Sequence, residues 1–145
     1  MIDCPFRSLA FVFSVKTGQP DRLDPKGTPV MPTYAALIYS ADVDYTSGEH
    51  AETTAGYMAF GQAAAAVIRG GAGLYPTSTA TTVKVTGGKG GDVVTSDGPY
   101  AEAKDVLTGF YLLECADLDE AVAYAAQIPG AWTGGVEIRP ILPMG

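Results

Sequence analysis

The feature that most constrains this chain is that its two best strand-like runs are apolar on both sides. In residues 34–39, Tyr34, Ala36 and Ile38 alternate with Ala35, Leu37 and Tyr39; in residues 109–115, Gly109, Tyr111, Leu113 and Cys115 alternate with Phe110 and Leu112. Successive side chains of a strand point to opposite faces, so a sheet covered by helices on one side alone should alternate apolar with polar residues. Here the second face is apolar as well, and a patch of that kind is unusually large for a monomer. The pattern predicts a homodimer, two copies related by a two-fold axis with their sheets facing each other.

The segments around these strands set the topology. Thr46 and Glu49 have the spacing of a capping box and predict a helix running to about Arg69, where Gly70-Gly71 stops it. Its apolar stripe is Tyr57, Phe60, Ala64, Val67 and Ile68. Residues 81–86 and 92–96 are β-branched runs around Gly87-Gly88-Lys89-Gly90-Gly91, the composition of a hairpin. A short helical turn fits residues 101–106. Asp117 and Glu120 then predict a second capped helix to Gln127, ending before Pro129-Gly130, with Leu118, Ala121, Val122, Ala125 and Ile128 facing the core. Residues 136–142 close the domain as a strand, with Pro140 suited to an edge or an end. The order βαββαβ predicts an α+β, ferredoxin-like antiparallel sheet with both helices on one face.

A chain of 145 residues has room for one domain. Residues 1–30 hold four of the ten prolines and four of the nine bases, and periodicity begins only after Met31. They read as a poorly ordered extension ahead of a domain at 31–145, the alternative being an extra strand at residues 9–15 docked on the domain edge. The domain itself carries 13 acids against five bases, a formal charge of −8. That balance argues against nucleic acid, which demands a surplus of Lys and Arg. The apolar run at 9–15 is about a third of a membrane span. Cys4 and Cys115 are too far apart for a zinc pair or a CxxC motif, and His50 is the single histidine, so neither a metal nor a cofactor is expected and the setting reads as cytoplasmic.

The densest polar constellation is Ser96-Asp97-Gly98-Pro99-Tyr100-Ala101-Glu102-Ala103-Lys104. Asp97 can serve an Asx-type turn, or the turn can aim Asp97, Tyr100 and Glu102 at a cleft where neighbouring carboxylates make an acid–base site. His50 reads either as a polar residue in the first turn of a surface helix or as the imidazole of a pair with Asp97. Arg139 shares a strand face with Glu137, which suggests an ion pair, or it binds a ligand carboxylate, with Glu114 as another partner. Tyr57, Tyr75, Tyr111 and Tyr124 are core aromatics or the lining of an aromatic pocket. Cys115 reads as a small buried hydrophobe. The glycine cluster lacks the Gly-Lys-Ser/Thr ending of a phosphate loop and leads into a strand.

Several separated motifs agree in order with one family. Gly73-Leu74-Tyr75-Pro76-Thr77-Ser78-Thr79-Ala80-Thr81-Thr82-Val83-Lys84-Val85, Thr95-Ser96-Asp97-Gly98-Pro99-Tyr100-Ala101-Glu102-Ala103-Lys104, Gly109-Phe110-Tyr111-Leu112, Asp117-Leu118-Asp119-Glu120-Ala121 and Val136-Glu137-Ile138-Arg139-Pro140 resemble the YCII-related family in its DGPF branch. Tyr100 stands where the name-giving motif has Phe. The resemblance covers residues 34 to about 144 and implies a dimeric α+β barrel. It also implies a small enzyme with a His and Asp pair in a cleft, or an accessory protein linked to an extracytoplasmic-function sigma factor.

Two functions follow as expectations. In the first, a small organic molecule binds between sheet and helices, with metal-free acid–base catalysis by Asp97, Glu102 and His50 and with Tyr100, Tyr111 and Arg139 as ligand contacts. In the second, the protein is a non-catalytic accessory or sensor module bound to a sigma factor or another protein.

Overall fold

The computed structural model describes residues 26–27 and 31–143. The expected extension at 1–30 and the alternative strand at 9–15 therefore lie, Lys26 and Gly27 apart, outside the described residues. In chain order the elements are β1 (Thr33–Ala41), α1 (Ala51–Ala63), β2 (Ile68–Gly73), β3 (Thr81–Thr86), β4 (Asp92–Asp97), β5 (Asp105–Glu114), α2 (Leu118–Ala125), α3 (Gly130–Thr133) and β6 (Gly135–Pro140). Four strands form an antiparallel sheet in the order β2-β5-β1-β6, and β3 with β4 forms a separate two-stranded ribbon. With the ribbon set aside, the order is the expected ferredoxin-like βαββαβ.

The main departure concerns β2. The helix expected to reach Arg69 ends at Ala63, and the Gly70-Gly71 pair read as its stop lies inside an edge strand. The hairpin at 81–97 is correspondingly not part of the main sheet. The glycines have a tertiary reason: a Cβ on Gly71 would fall 2.6 Å from the Phe110 carbonyl oxygen, and one on Gly109 would fall 2.8 Å from the Ala72 carbonyl oxygen. Side chains there would push β2 off β5.

The helix starts also divide. Asp117 caps α2 as expected, its Oδ1 accepting from the Glu120 N–H at 2.9 Å. The Thr46/Glu49 box does not form, because Thr46 donates its N–H at 2.8 Å and its hydroxyl at 2.6 Å to Asp44 instead. His50 consequently stands at the N-cap of α1, without a side-chain cap bond. Residues 101–104 make no helical turn, and β5 begins at Asp105.

The core lies on one face of the sheet. Tyr34, Ala36 and Ile38 of β1 pack with Leu113 and Cys115, with Phe60, Ala64 and Val67 around α1, and with Ala121, Ala125 and Ile128 around α2. The opposite face carries Ala35, Leu37 and Tyr39 in register with Leu112, Phe110 and Leu107, and Arg139 and Glu137 of β6 beside Ala35 and Leu37. Among the described residues no helix is long and apolar enough to cross a membrane.

Candidate functional site

The C-terminal ends of β1 and β2 and the start of β5 meet at one end of the sheet, with Ser40 opposite Val106, Ala41 opposite Asp105 and Gly73 opposite Gly109. There the inward register of β1 turns from Tyr34, Ala36 and Ile38 to Ser40, a polar side chain only 2% exposed. A buried hydroxyl must find partners. The Ser40 hydroxyl lies 3.0 Å from Thr108 Oγ1 and 3.3 Å from the Tyr45 hydroxyl. Thr108 is supplied by a β-bulge: the pairing passes from Ile38 with Gly109 to Tyr39 with Leu107, leaving Thr108 as the extra residue. Its hydroxyl also reaches the Ile38 carbonyl at 3.4 Å.

Tyr45 carries this hydroxyl cluster outward. Its ring centroid lies 5.5 Å from the His50 imidazole and 6.3 Å from the Tyr57 ring, the latter edge-on. Burial pushes the Tyr57 phenol up to about 12, Tyr45 adds to the rise, and a hydrogen bond from the Gly130 backbone only partly opposes it. Tyr57 thus remains a protonated donor at any ordinary pH. Tyr111, half-buried, packs its ring 5.0 Å from Phe60, and burial raises its phenol too. Asp44 is held below the usual carboxylate range by the Thr46 hydroxyl and N–H, with a smaller contribution from His50. The sheet end therefore gathers an imidazole, a carboxylate and four hydroxyls on aromatic walls. Histidine is the side-chain type best suited to moving a proton near neutral pH, and hydroxyls can orient a polar ligand beside it.

The ribbon is rooted next to this cluster. Asp42, just past β1, accepts from the Thr77 N–H at 2.9 Å and from the Thr77 hydroxyl, and these bonds hold its carboxyl below the usual range. The Asp97-Gly98-Pro99 turn is fixed by backbone: the Gly98 N–H donates to the Ala80 carbonyl at 2.8 Å, and the Thr82 hydroxyl donates to the Gly98 carbonyl at 2.8 Å. Asp97 itself forms no Asx-type bond. Its exposed carboxylate and that of Glu102 make no hydrogen bond or ion pair among the described residues. Tyr100 is 81% exposed, with the Lys84 ammonium 5.2 Å from its ring centre.

Of the residues expected from sequence, the structure places His50 and Tyr111 beside the aromatic cluster and Asp97, Tyr100 and Glu102 on the ribbon root. No hydrogen bond or ion pair joins His50 to Asp97 in the single chain. Arg139 lies elsewhere: it pairs with Glu137 at 3.8 Å, both exposed, on the sheet face away from the helices. The expectation that it reaches a cleft between sheet and helices is corrected by that register. Glu114 pairs with Arg69 at 3.2 Å rather than with Arg139. Tyr57, Tyr111 and Tyr124 pack against the core, whereas Tyr75 is exposed. Sequence reading missed Ser40, Asp44, Tyr45 and Thr108. Ser40 had left a signal, as a polar residue at the inward parity of an otherwise apolar strand. No group of three or more His, Cys, Asp or Glu side chains suited to a metal occurs among the described residues.

Comparison with known proteins brings in a family and a relative. The family model of the YCII-related domain matches residues 33–145. An uncharacterized protein of Rhizobium meliloti (strain 1021) is 43% identical over 70 residues, which are 47% of this chain and 54% of that protein. The chain thus spans about half the length of that curated relative.

Proposed function

This chain belongs to the YCII-related domain family, and on that premise we propose that it binds a small organic molecule at the sheet end formed by Ser40, Thr108, Tyr45 and His50. The observation that carries the reading is the 3.0 Å Ser40–Thr108 contact continued through Tyr45 to the His50 ring, a polar path opening from the core onto an aromatic surface. In this reading His50 exchanges a proton with the ligand without a metal. Asp97, which has no hydrogen-bond or ion-pair partner among the described residues, is the carboxylate that completes the site, and Tyr100 and Glu102 flank it. The run Asp97-Gly98-Pro99-Tyr100 supports placement in the DGPF branch. The acidic domain is proposed to act in the cytoplasm as a two-fold dimer through the face of Ala35, Leu37, Phe110 and Leu112.

Thermal unfolding against a panel of small organic acids and aromatic metabolites tests this. A compound present at about a hundred times its dissociation constant adds about 2.7 kcal/mol, a shift of several degrees for a domain of this size. The reading expects such a shift in the native protein and its loss in His50→Gln, with weakening in Asp97→Asn. Stabilisation that survives both substitutions, or a panel that shifts nothing, overturns it.

The second reading, a non-catalytic accessory module, draws its support from the exposed ribbon. It expects no compound to shift unfolding, together with binding of a purified extracytoplasmic-function sigma factor.

A further inference from the structure

The β3–β4 ribbon has an apolar face that its own chain does not cover. Register places Val83 opposite Thr95 and Val85 opposite Val93, so these four side chains share one face, with Thr81 and Asp97 at its root. Val83, Val85 and Val93 are 59%, 45% and 68% exposed. Along both strands every residue but Thr82 is exposed, and no helix or sheet strand packs along the ribbon among the described residues. A two-stranded hairpin is marginal in water by itself and gains stability when a third layer covers it.

Charge indicates what that layer is. Residues 81–104 carry Lys84, Lys89 and Lys104 against Asp92, Asp97 and Glu102, net zero, whereas the rest of 31–145 carries Arg69 and Arg139 against ten acids. Two such bodies repel each other wherever acidic surface meets acidic surface. The ribbon is the neutral, lysine-bearing part, and Lys89 stands at its glycine tip, where it can reach carboxylates beyond the ribbon's own length. We propose that the β3–β4 ribbon is an arm that grips a second copy of this chain, its valine face seated on the partner's body and Lys89 set against the partner's acidic surface. This rests on the dimer reading above and adds a contact which that reading lacks.

Sedimentation equilibrium on the full chain tests the arm. The native protein is expected to dimerise, and Val83→Ser/Val85→Ser/Val93→Ser together to raise the dissociation constant by about tenfold or more, which each 1.4 kcal/mol of lost contact produces. Lys89→Glu leaves the strands untouched and so guards against misfolding of the triple variant. It is expected to weaken the dimer severalfold at low salt, with the difference shrinking as salt screens the contact. Variants that dimerise with the native constant overturn the arm while leaving the sheet-face dimer standing. A native chain that stays monomeric at about 100 μM overturns both, and neither outcome touches ligand binding at His50.

Discussion

The hydroxyls of Ser40 and Thr108 lie 3.0 Å apart on β1 and β5, although 68 residues separate them in the chain. Each satisfies the other where water is largely excluded. Replacing Thr108 with Val leaves Ser40 with only the longer bond to Tyr45, at an expected cost of about 1–2 kcal/mol. The double variant Ser40→Ala/Thr108→Val should lose less than the sum of the single losses, because it strands no buried hydroxyl. Urea unfolding of the four proteins in the cycle measures this directly, and strict additivity would mean that the two groups are not coupled.

Gly130 and Gly61 make opposite predictions. A Cβ on Gly130 would collide with Ile38 Cγ2 and sit 2.9 Å from the Tyr57 hydroxyl. Gly130→Ala should therefore destabilise the fold by about 1–3 kcal/mol. Gly61 lies inside α1 with open space around it, so Gly61→Ala should stabilise by about 0.5–1 kcal/mol. Chemical denaturation of the pair separates close packing from helix propensity.

Acid should weaken the protein through Asp42 and Asp44. Hydrogen bonds from Thr77 and Thr46 hold both carboxyls below the ordinary aspartate value in the folded chain. The unfolded chain therefore takes up these protons first, and the stability they give, complete above about pH 4, is lost as pH falls through the lower native values. Melting temperatures recorded from pH 6 down to 2.5 should fall less steeply in Asp42→Asn/Asp44→Asn than in the native protein.

Burial pushes the Cys115 thiol up to about 11, with the nearby Glu120 and Asp117 charges adding to the rise. Thiol reagents attack the thiolate, which is scarce at pH 8 for such a group. In a Cys4→Ser background, an aromatic disulfide reagent should label almost nothing in the native protein and one thiol per chain in guanidinium. Fast native labelling would contradict the buried placement.

What the sequence revealed and what it hid have physical reasons. Asp117 disclosed the α2 start because its bond to Glu120 spans three residues, whereas both faces of β1 are apolar in the sequence and only the helices packed on Tyr34, Ala36 and Ile38 make that face the inward one. Strand β2 was hidden because Gly70, Gly71 and Gly73 carry no β preference. Gly71 is required there by the closeness of Phe110 and Tyr111, residues about forty positions away. The Thr46 cap was misread because Asp44, two residues earlier, competes for the same hydroxyl. Of the site, His50 and Asp97 were visible as chemistry-bearing types, whereas Thr108 became a site residue through a bulge that no spacing rule signals. For Arg139 the sequence left an ion pair with Glu137 and a ligand contact open, because which sheet face it shares with Glu137 depends on where the helices pack.

The most direct test of the account is the crystal structure of the protein with a compound that raises its melting temperature. Polar atoms of the ligand are expected within hydrogen-bond distance of His50 and of at least one of the Ser40, Thr108 and Tyr45 hydroxyls. A ligand seated instead on the opposite sheet face beside Glu137 and Arg139, with His50 untouched, would contradict the account.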